Sequence, residues 1–427
     1  MNLRRIFSPL IIVVCFSRAT ENQISHPIVH HIVIRGNQVT KEHIIRREIQ
    51  HQVALPFDSL IAIEDRNRID NLGIFSEVTF FLTQSDNGSN ILTYLVVETW
   101  RYIPFPVIIY EERTGWSYGA GLTVNNFRGR NQIFQVLGAF GGTEFGGLFF
   151  HDPWITGDHI SIQGHLFTTL YNHPFLKYDY REIDSEITVG RYFGYHWKVW
   201  VTGSLEKRWV SYVENVGEDF QHNYFQTKFK LIYDTRDIYL DPAKGILIFN
   251  EIRPEFGLGK TEPYNNIWET QISGYRTLIP GKKKWVLGGS LFFHKYFGKE
   301  IPYRIQWVGG TQSVRGWRTI TPDDVEENYR VGLNSYYASF ELRQTLVPKY
   351  LTSANTEFGV ILAEFLDVGA ADDKFFTMLK KEPIFGTGIG VRFFVPGGGL
   401  LRIDYGFGYY KGKWQSGTWH MDIGHKF

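Results

Sequence analysis

From Trp100 to the end of the chain, hydrophobic and polar residues alternate along one segment of about ten to fifteen residues after another. In "WVLGGSLFFHKYF", residues 285–297, the odd-numbered positions are mostly large and apolar and the even-numbered ones mostly small or polar. In "LLRIDYGFGYY", residues 400–410, leucine, isoleucine and aromatic residues oppose Arg402, Asp404 and two glycines. A period of two residues predicts β-strands that have one apolar and one polar face.

These segments number about sixteen, and their charges lie on the minority face. That arrangement predicts a transmembrane antiparallel β-barrel of about 16 strands, with lipid outside and a polar lumen. A large soluble β-sandwich also alternates and is the alternative. Tyrosines and tryptophans near segment ends favour the barrel, as does the final segment "TWHMDIGHKF". Its residues Trp419, Met421, Ile423 and Phe427 share one face, which we expect to contact lipid.

The first hundred residues follow a different pattern. Over residues 30–98 this pattern predicts the element order βααββ. "HHIVIRGN" reads as a strand, residues 40–51 as a helix with Thr40 as its N-cap, and residues 59–71 as a second helix. "EVTFFLTQ" and "ILTYLVVE" then form a hairpin around "SDNGSN". Asn87 begins a glycosylation sequence there, although a hairpin turn is the favoured interpretation.

The N-terminus predicts a secretory signal peptide over residues 1–19. Arg4 and Arg5 precede an apolar run that ends at Phe16, and Ala19 suits a cleavage site. A lipoprotein signal at Cys15, the only cysteine, is the weaker alternative. The predicted domains are therefore the signal peptide at 1–19, a small mixed domain at 20–99 and a barrel at 100–427.

Composition narrows the classes of function. The formal net charge of +1 argues against a nucleic-acid partner. Aromatic residues make up 16% of the chain while its mean hydropathy is −0.21, and no later apolar run is long enough for a spanning helix. A mature chain without cysteine excludes disulfides and thiol catalysis. We find no catalytic or nucleotide-binding motif, so we expect neither an enzyme nor a cofactor.

The polar stretch "GGTQSVRGWRTITPDD", residues 309–324, joins the predicted eleventh and twelfth strands. It places Arg315 among glycines, which allow sharp turns and close backbone approach, so we expect a loop at 299–330 that folds into the lumen. A buried arginine needs partners. The alternation points Glu341 and Asp367 inward to provide them. It also points Glu364 towards lipid, unless that residue lies at an interface or the strand bulges there.

Several motifs in one order resemble the BamA/TamA superfamily of outer-membrane assembly proteins. They are "VRGW" at 314–317, "FLDVG" at 365–369, "YDTRDIYLDPAKG" at 233–245 and "GTGIGVRFFVPGGGLLRIDYGFGY" at 386–409. "RIDNLGIFSEVTF", residues 68–80, resembles the polypeptide-transport-associated (POTRA) domain of that family. The chain departs from the best-known member by having one POTRA domain rather than several.

The resemblance implies a surface-antigen-type, sixteen-stranded barrel in the outer membrane of a diderm bacterium, with the POTRA domain in the periplasm. It also implies that the sixth outer loop enters the lumen and that Asp367 of the thirteenth strand holds Arg315. The predicted loop lock comprises Val314, Arg315, Gly316, Trp317, Glu341 and Asp367. We favour a structural role for Arg315 over direct action on a client.

Two further groups of residues are predicted to be functional. Asp234, Arg236, Asp237 and Gly245 form a turn or lumen network, for which a carboxylate metal site is the less favoured alternative. Pro104 and Pro106 remove backbone donors from one edge of the first strand, unless they mark only the linker into the barrel. With Ile108, Ile423 and Phe427 they outline a predicted lateral seam between the first and last strands.

Members of the superfamily fold and insert other barrels, or pass polypeptides across the outer membrane, without ATP. We therefore expect an assembly factor whose partners are unfolded outer-membrane or secreted polypeptides and outer-membrane lipids. Periplasmic accessory proteins are a further class of partner. The main alternative is a polypeptide-secretion pore of the two-partner type, which usually carries two POTRA domains and a plug helix. A passive porin needs neither the N-terminal domain nor an inward lock.

Overall fold

A computed structural model describes most of the chain from residue 27 onwards. The described residues are 27–111, 114–156, 159–173, 177–213, 218–259, 264–301, 304–318, 328–353, 356–395 and 399–427. The predicted signal peptide and Cys15 lie outside the described residues. Residues 302–303 and 319–327 of the predicted inward loop also lie outside them.

The N-terminal domain has the predicted order βααββ. Its elements are β1 (Val29–Arg35), α1 (Glu42–Arg46), α2 (Ser59–Asp70), β2 (Phe75–Gln84) and β3 (Asn90–Glu98). The sheet order is β1-β3-β2, with β1 parallel and β2 antiparallel to the central β3. The strand "EVTFFLTQ" therefore lies within an edge strand of this sheet.

The core of this domain forms where the two helices cover one face of the sheet. Ile45 of α1 and Ile69 of α2 are buried against Leu92 and Tyr94 of β3. Asp65 is fully buried in α2, where it accepts hydrogen bonds from the Tyr94 hydroxyl and from backbone N–H groups. A buried carboxylate satisfied in this way fixes the helix on the sheet.

The prediction of a long first helix capped by Thr40 is wrong. The helix α1 has only five residues, and Lys41 occupies its N-cap position without a side-chain hydrogen bond. The Thr40 hydroxyl instead donates to Glu98 and accepts a 2.7 Å hydrogen bond from Asn126 of the barrel. A threonine with cap chemistry thus serves a junction between domains, which local sequence does not reveal.

The barrel follows directly after β3. Its strands are β4 (Tyr102–Glu111), β5 (Gly115–Phe127), β6 (Gln132–Gly141), β7 (Thr143–Thr156), β8 (Ile160–His173), β9 (Tyr178–Phe193), β10 (Trp197–Tyr212), β11 (Phe220–Asp234), β12 (Gly245–Gly257), β13 (Asn265–Ile279), β14 (Trp285–Phe297), β17 (Asn334–Leu351), β18 (Glu357–Asp372), β19 (Ile384–Val395), β20 (Gly399–Tyr410), β21 (Lys413–Trp414) and β22 (Thr418–Ile423). A two-stranded ribbon, β15 (Gln306–Trp307) with β16 (Val331–Gly332), and a 3-10 turn at Asn328–Arg330 lie between β14 and β17, and α3 (Phe375–Met378) follows β18.

Consecutive barrel strands pair antiparallel, and the strand order places the last strand beside the first. Within the described part of the chain, seventeen strands belong to this order, and one of them, β21, has only two residues. The remaining sixteen agree with the expected number and confirm the predicted fold class. Both β21 and β22 pair with β20, and the other neighbouring strands have a register of paired residues except β22 and β4.

The two faces of the barrel wall follow the sequence alternation. On β20 the even-numbered Arg402 and Asp404 are buried inside, whereas Phe407 is exposed on the outer wall. On β22 Trp419, Met421 and Ile423 are exposed outside. Among the described residues, no helix has both the length and the apolar character needed to cross a bilayer.

Candidate functional site

The segment between β15 and residue 318 turns into the lumen at three glycines, one of which is Gly310 with φ of 105°. Gly309 has φ of 125° and Gly316 has φ of 85°, conformations that other residues rarely adopt. A Cβ on Gly316 would lie 2.5 Å from the backbone carbon of Phe407, and one on Gly386 would lie 1.7 Å from the carbonyl oxygen of Arg315. Glycines on both the loop and the wall therefore let the loop backbone lie directly against β19 and β20.

The guanidinium of Arg315 grips the carboxylate of Asp367 with two hydrogen bonds. Nε donates to Oδ2 at 2.8 Å and Nη2 donates to Oδ1 at 3.0 Å, while the backbone N–H of Arg315 also donates to Oδ2 at 3.0 Å. Both residues have an exposed fraction of 0%. Two parallel charge-assisted bonds give this contact a fixed orientation.

Two further carboxylates contact the guanidinium of Arg315. Its Nη1 donates to Glu341 at 2.6 Å and to Asp404 at 3.0 Å, so strands β17, β18 and β20 all contribute an anion. The ring of Phe365 lies 3.8 Å from the guanidinium carbon, which adds a cation–π contact. Asp404 was not predicted as a partner, although its inward position was visible in the alternation.

Three further arginines balance these carboxylates. Arg343 donates to Glu341 at 2.8 Å, and Arg392 of β19 bridges Glu341 and Asp404. Arg402 donates to Asp422 of β22 at 2.7 Å. All three arginines are buried. We call this group the lumen cluster: Arg315, Glu341, Arg343, Asp367, Arg392, Arg402, Asp404, Asp422 and Lys426.

Apolar residues hold the loop on the other side of Arg315. Val314 is completely buried and packs with Trp317, Val308 and Ile384. The indole N–H of Trp317 donates to the carbonyl of Phe385 at 2.6 Å. In "VRGW", Val314 and Trp317 therefore pack against apolar residues, Arg315 forms the ion pairs and Gly316 makes the tight turn.

The last strand and the tail behind it also contact the loop. The backbone N–H of Gly316 donates to Nε2 of His420 at 2.9 Å. Lys426 forms an ion pair with Asp367 at 2.9 Å and donates to the carbonyl of Ser313. The aspartate that grips the loop therefore also binds the C-terminal tail, a contact that no periodicity in the sequence indicated.

The prediction that Phe427 faces lipid on the last strand is wrong. The strand β22 ends at Ile423, and the chain turns at Gly424, which has φ of 89°. Phe427 stacks on Tyr275 with ring centroids 6.1 Å apart, and its carbonyl accepts a hydrogen bond from Arg343. Because the strand ends early, the alternation that placed Phe427 outside does not extend to it.

Asp234, Arg236, Asp237 and Gly245 lie together in the turn from β11 to β12. Arg236 donates twice to Asp234 at 2.9 Å, and Asp237 accepts the backbone N–H groups of residues 243 and 244. Asn71, the C-cap of α2, donates to the carbonyl of Asp237 and accepts from the N–H of Tyr239. This turn is a dock for the N-terminal domain.

Other turns at the same end of the barrel contact the N-terminal domain too. The N–H of Lys41 donates to the carbonyl of Gly129 at 2.9 Å, and Arg47 lies 4.1 Å from the ring of Trp154. Between the domains is a cavity of about 580 Å³, whose lining includes Glu48. Burial raises the pKa of Glu48 to about 7, against the opposing effect of Arg47 and Arg68.

Of the predicted seam residues, Pro104, Pro106 and Ile108 lie on β4 and Ile423 lies on β22, whereas Phe427 lies beyond the end of β22. The N–H of Asn125 in β5 donates to the carbonyl of Arg101, and the register continues through Tyr102↔Val124 without a shift. In an antiparallel pair, hydrogen-bonded positions alternate with positions whose backbone groups point the other way. The nitrogens of Pro104 and Pro106 therefore point away from β5, towards the side on which β22 lies.

Within the described part of the chain, one group of three potential metal ligands occurs, and it lies outside the predicted turn. Ligand atoms of His165, Asp184 and Glu186 lie within 4.8 Å of one another. His165 hydrogen-bonds Asp184 at 2.6 Å, and Glu186 pairs with Lys228. Since these ligand atoms already have protein partners, the geometry fits an ion-pair network in the barrel wall.

Sixteen long antiparallel strands, a loop gripped inside the lumen and a βααββ domain at one end define an outer-membrane β-barrel of the POTRA-bearing class. The sequence matches the Omp85 superfamily domain over residues 126–427 and the POTRA domain, described as a surface antigen variable number repeat, over residues 27–99. The chain belongs to the Omp85 superfamily. The resemblance to the BamA/TamA type is thereby confirmed, and the family consists of non-enzymatic transport and assembly proteins.

Solved structures share this fold. BamA from Haemophilus ducreyi, in a crystal structure lacking POTRA domains 1–3, is 18% identical, with a TM-score of 0.58 over 93% of this chain and 84% of that one. CdiB from Acinetobacter baumannii is 14% identical, with a TM-score of 0.56 over 93% and 74% of the two chains. CdiB from Escherichia coli is 13% identical, with a TM-score of 0.54 over 97% and 92%.

Replacing Arg315 should release the loop from the lumen. In Arg315→Ala the buried carboxylates of Asp367, Glu341 and Asp404 lose their shared cation, and breaking a buried ion pair typically costs about 3–5 kcal/mol. We expect the folded barrel to lose its compact, heat-modifiable migration on gels at a lower temperature than the original protein. Arg315→Lys should rescue little, because lysine cannot form the two parallel bonds.

Arg253→Ala is the matched control, since Arg253 also pairs with two lumen carboxylates, Glu251 and Glu269, but is partly exposed to water. Arg253→Ala should leave the temperature at which the barrel loses its compact migration nearly unchanged. An Arg315→Ala protein that keeps both its migration temperature and its resistance to protease within the loop would contradict the structural role of the lock.

Docking of the POTRA domain on the barrel should weaken as pH rises through about 7. Undocked Glu48 would titrate near its ordinary pKa of about 4.3, whereas the docked group has a pKa of about 7, so the docked state binds a proton more readily. This stabilisation is complete below about pH 4 and lost above about pH 7. His159, whose pKa burial lowers to about 4, stays neutral between pH 6 and 8.5.

Spin labels on cysteines at Leu60 and Phe376, both exposed, measure this docking as a distance between the two domains. The distance distribution should broaden between pH 6 and 8.5 in the original protein. It should stay narrow in Glu48→Gln, which mimics the protonated carboxyl. An equal pH response in both proteins would show that another group controls docking.

Proposed function

We propose that this protein assembles client polypeptides into the outer membrane, through a lateral seam between β4 and β22 that opens on the β4 side. Membership of the Omp85 superfamily and likeness to BamA and CdiB support an insertion or secretion role. We favour insertion over secretion because β4 and β22 are attached unequally to the rest of the barrel.

On the β4 side, the two prolines cannot donate to a neighbouring strand. Each missing ladder bond forfeits about 0.5–1.5 kcal/mol net, and more if its partner carbonyl is left in lipid. Prolines are tolerated in sheets mainly at edges. Pro104 and Pro106 therefore weaken the contact with β22 while leaving the pairing with β5 intact.

On the β22 side, the strand is held from inside the barrel. His420 accepts from the loop backbone, Asp422 pairs with Arg402, and Lys426 pairs with Asp367. The six residues of β22 also pair with β20. When the seam parts, β22 stays fixed to the lumen cluster and β4 swings away, carrying an edge that can template a client strand.

The POTRA domain sits where incoming chains arrive. It contacts the turns after β5, β7 and β11, and its edge strand β2 pairs only with β3 among the described strands. An unpaired edge can hold an extended client by backbone hydrogen bonds. Because Phe75 pairs with Glu98, the start of β2 lies near the start of β4 at Tyr102.

The partners that follow from this function are unfolded outer-membrane polypeptides, which gain strand pairing, and the lipids into which they move. Periplasmic accessory proteins would deliver such chains to the POTRA domain. The free energy comes from the folding of the client itself, since satisfied strand pairing is strongly favoured in lipid. No nucleotide or cofactor is required.

The test is a folding assay in liposomes with cysteines at Ile108 of β4 and Ile423 of β22, joined by a short reducible crosslinker. An unfolded barrel client should gain heat-modifiable, protease-resistant structure faster with this protein than in empty liposomes. The crosslink should reduce that acceleration at least about tenfold, which corresponds to about 1.4 kcal/mol. Reduction of the crosslink should restore it.

The control pair is Leu287 and Leu342, which lie directly opposite each other on β14 and β17. Joining them should not change the acceleration, because that junction stays closed. Full activity with the 108–423 crosslink in place would exclude the lateral seam. Conductance or peptide passage without client folding would identify a secretion pore, the alternative that the CdiB fold also accommodates.

A further inference from the structure

Glu364 projects from the middle of β18 onto the membrane-facing wall. It lies seven residues after Glu357 and eight before Asp372, the two ends of the strand. Its cross-strand partners are Leu342 and Ile389, and the register is unbroken from Asn334↔Asp372 to Thr345↔Ile361. There is no bulge that would turn this side chain inward, so its outward direction is a true feature of the wall.

The depth of Glu364 follows from strand geometry. At about 3.3 Å per residue and a tilt of about 40°, it stands roughly 18 Å from the POTRA end of β18 and roughly 20 Å from the other end. The apolar band of such barrels is about 25 Å tall. The carboxyl group therefore lies near the middle of the band.

The surroundings of Glu364 are apolar and slightly concave. A depression of about 480 Å³ opens on the outer wall around it. The large apolar residues of its rim are Leu287, Phe340, Leu342, Leu366, Ile389 and Phe407, all exposed on the wall or partly so, and Thr387 and Gly388 also line it. These residues span five consecutive strands, which makes the patch wide enough for a second membrane segment.

Glu364 has no hydrogen-bond or ionic partner among the described residues, and the other exposed carboxylates of the described barrel strands lie at strand ends. Glu144 is the second residue of β7 and Asp179 the second of β9. A carboxyl group in the hydrocarbon region is expensive and usually marks a site with a partner. The position of Glu364 thus needs an explanation that the lumen and the seam do not provide.

We infer that the patch around Glu364 is a docking surface for a membrane-embedded segment of another protein, which brings a lysine or arginine to this carboxylate. Apolar contact with the rim and one ion pair in a low dielectric would together hold the segment. This inference does not depend on the lateral seam.

Other occupants fit the patch less well. The charged groups of lipids lie beyond the edge of the apolar band, which is roughly 12 Å from its middle. A two-fold pair of this protein would bring two Glu364 carboxylates together, which is unfavourable. The exposed basic residues of the described barrel strands lie within five residues of strand ends: Arg181, Arg191, Lys207, Arg276, Lys349 and Lys413.

The patch lies directly across the wall from the lumen cluster. The ring of the next residue, Phe365, is the one that stacks against the Arg315 guanidinium, and Asp367 follows on the same strand. A partner bound at Glu364 would therefore rest on the strand that holds the loop. Its binding can be measured separately from the lock, because the two sets of side chains face opposite sides.

The test places a photocrosslinking amino acid at Ile389, directly opposite Glu364, in the full protein within its native outer membrane. Irradiation should give one adduct of defined mass. The adduct should fall at least about tenfold in Glu364→Leu and Glu364→Lys and remain in Glu364→Asp. Heat-modifiable migration should stay unchanged in all variants, because the side chain faces lipid. The same photocrosslinker at Ile187, exposed on β9, is the control and should give no such adduct.

Mapping of the adduct should locate a membrane-spanning segment with a basic residue, and changing that residue to glutamate should restore the adduct with Glu364→Lys. An adduct that is insensitive to residue 364 would overturn the proposal. So would an adduct at twice the mass of this protein, or adducts with lipid alone, because these identify a second copy or the bilayer as the occupant.

Discussion

The ion pair between Arg315 and Asp367 is the contact on which the interior of this barrel depends. A guanidinium with no exposed surface is tolerable only if several carboxylates surround it, and three strands provide them. The loop must reach that position with its backbone against the wall, which requires Gly316 and Gly386 to lack side chains. One buried charge therefore dictates the composition of a loop and of the strands facing it.

The same aspartate links the loop to the end of the chain. Asp367 accepts the loop arginine and Lys426 together, so the inward loop and the C-terminal tail share one anchor. This attaches the last strand to the interior of the barrel. In the proposed lateral-seam mechanism, these internal ion pairs and the edge prolines are what would favour one junction and one moving side.

The junction with the POTRA domain and the interior of the barrel are held by different kinds of contact. At the POTRA end, backbone groups of the turns and the amide of Asn71 join the two domains with neutral hydrogen bonds, and Glu48 is buried beside them. Inside the barrel, full charges in a low dielectric hold the loop. Together with the cation–π contact of Arg47 on Trp154, these contacts are more easily exchanged than the buried ion pairs, which suits the client-receiving role proposed for this domain.

The sequence by itself determined the strand alternation, the βααββ domain, the inward loop and the inward direction of Glu341 and Asp367. These features are local or periodic, because the side-chain period of a strand is two residues and each motif is contiguous. Tertiary structure alone decided the contacts of the chain ends and of single polar residues: Phe427 leaves the lipid face, Lys426 reaches Asp367, and Thr40 bonds the barrel instead of capping a helix. Such contacts join residues far apart in the sequence, and only the assembled tertiary structure brings them together.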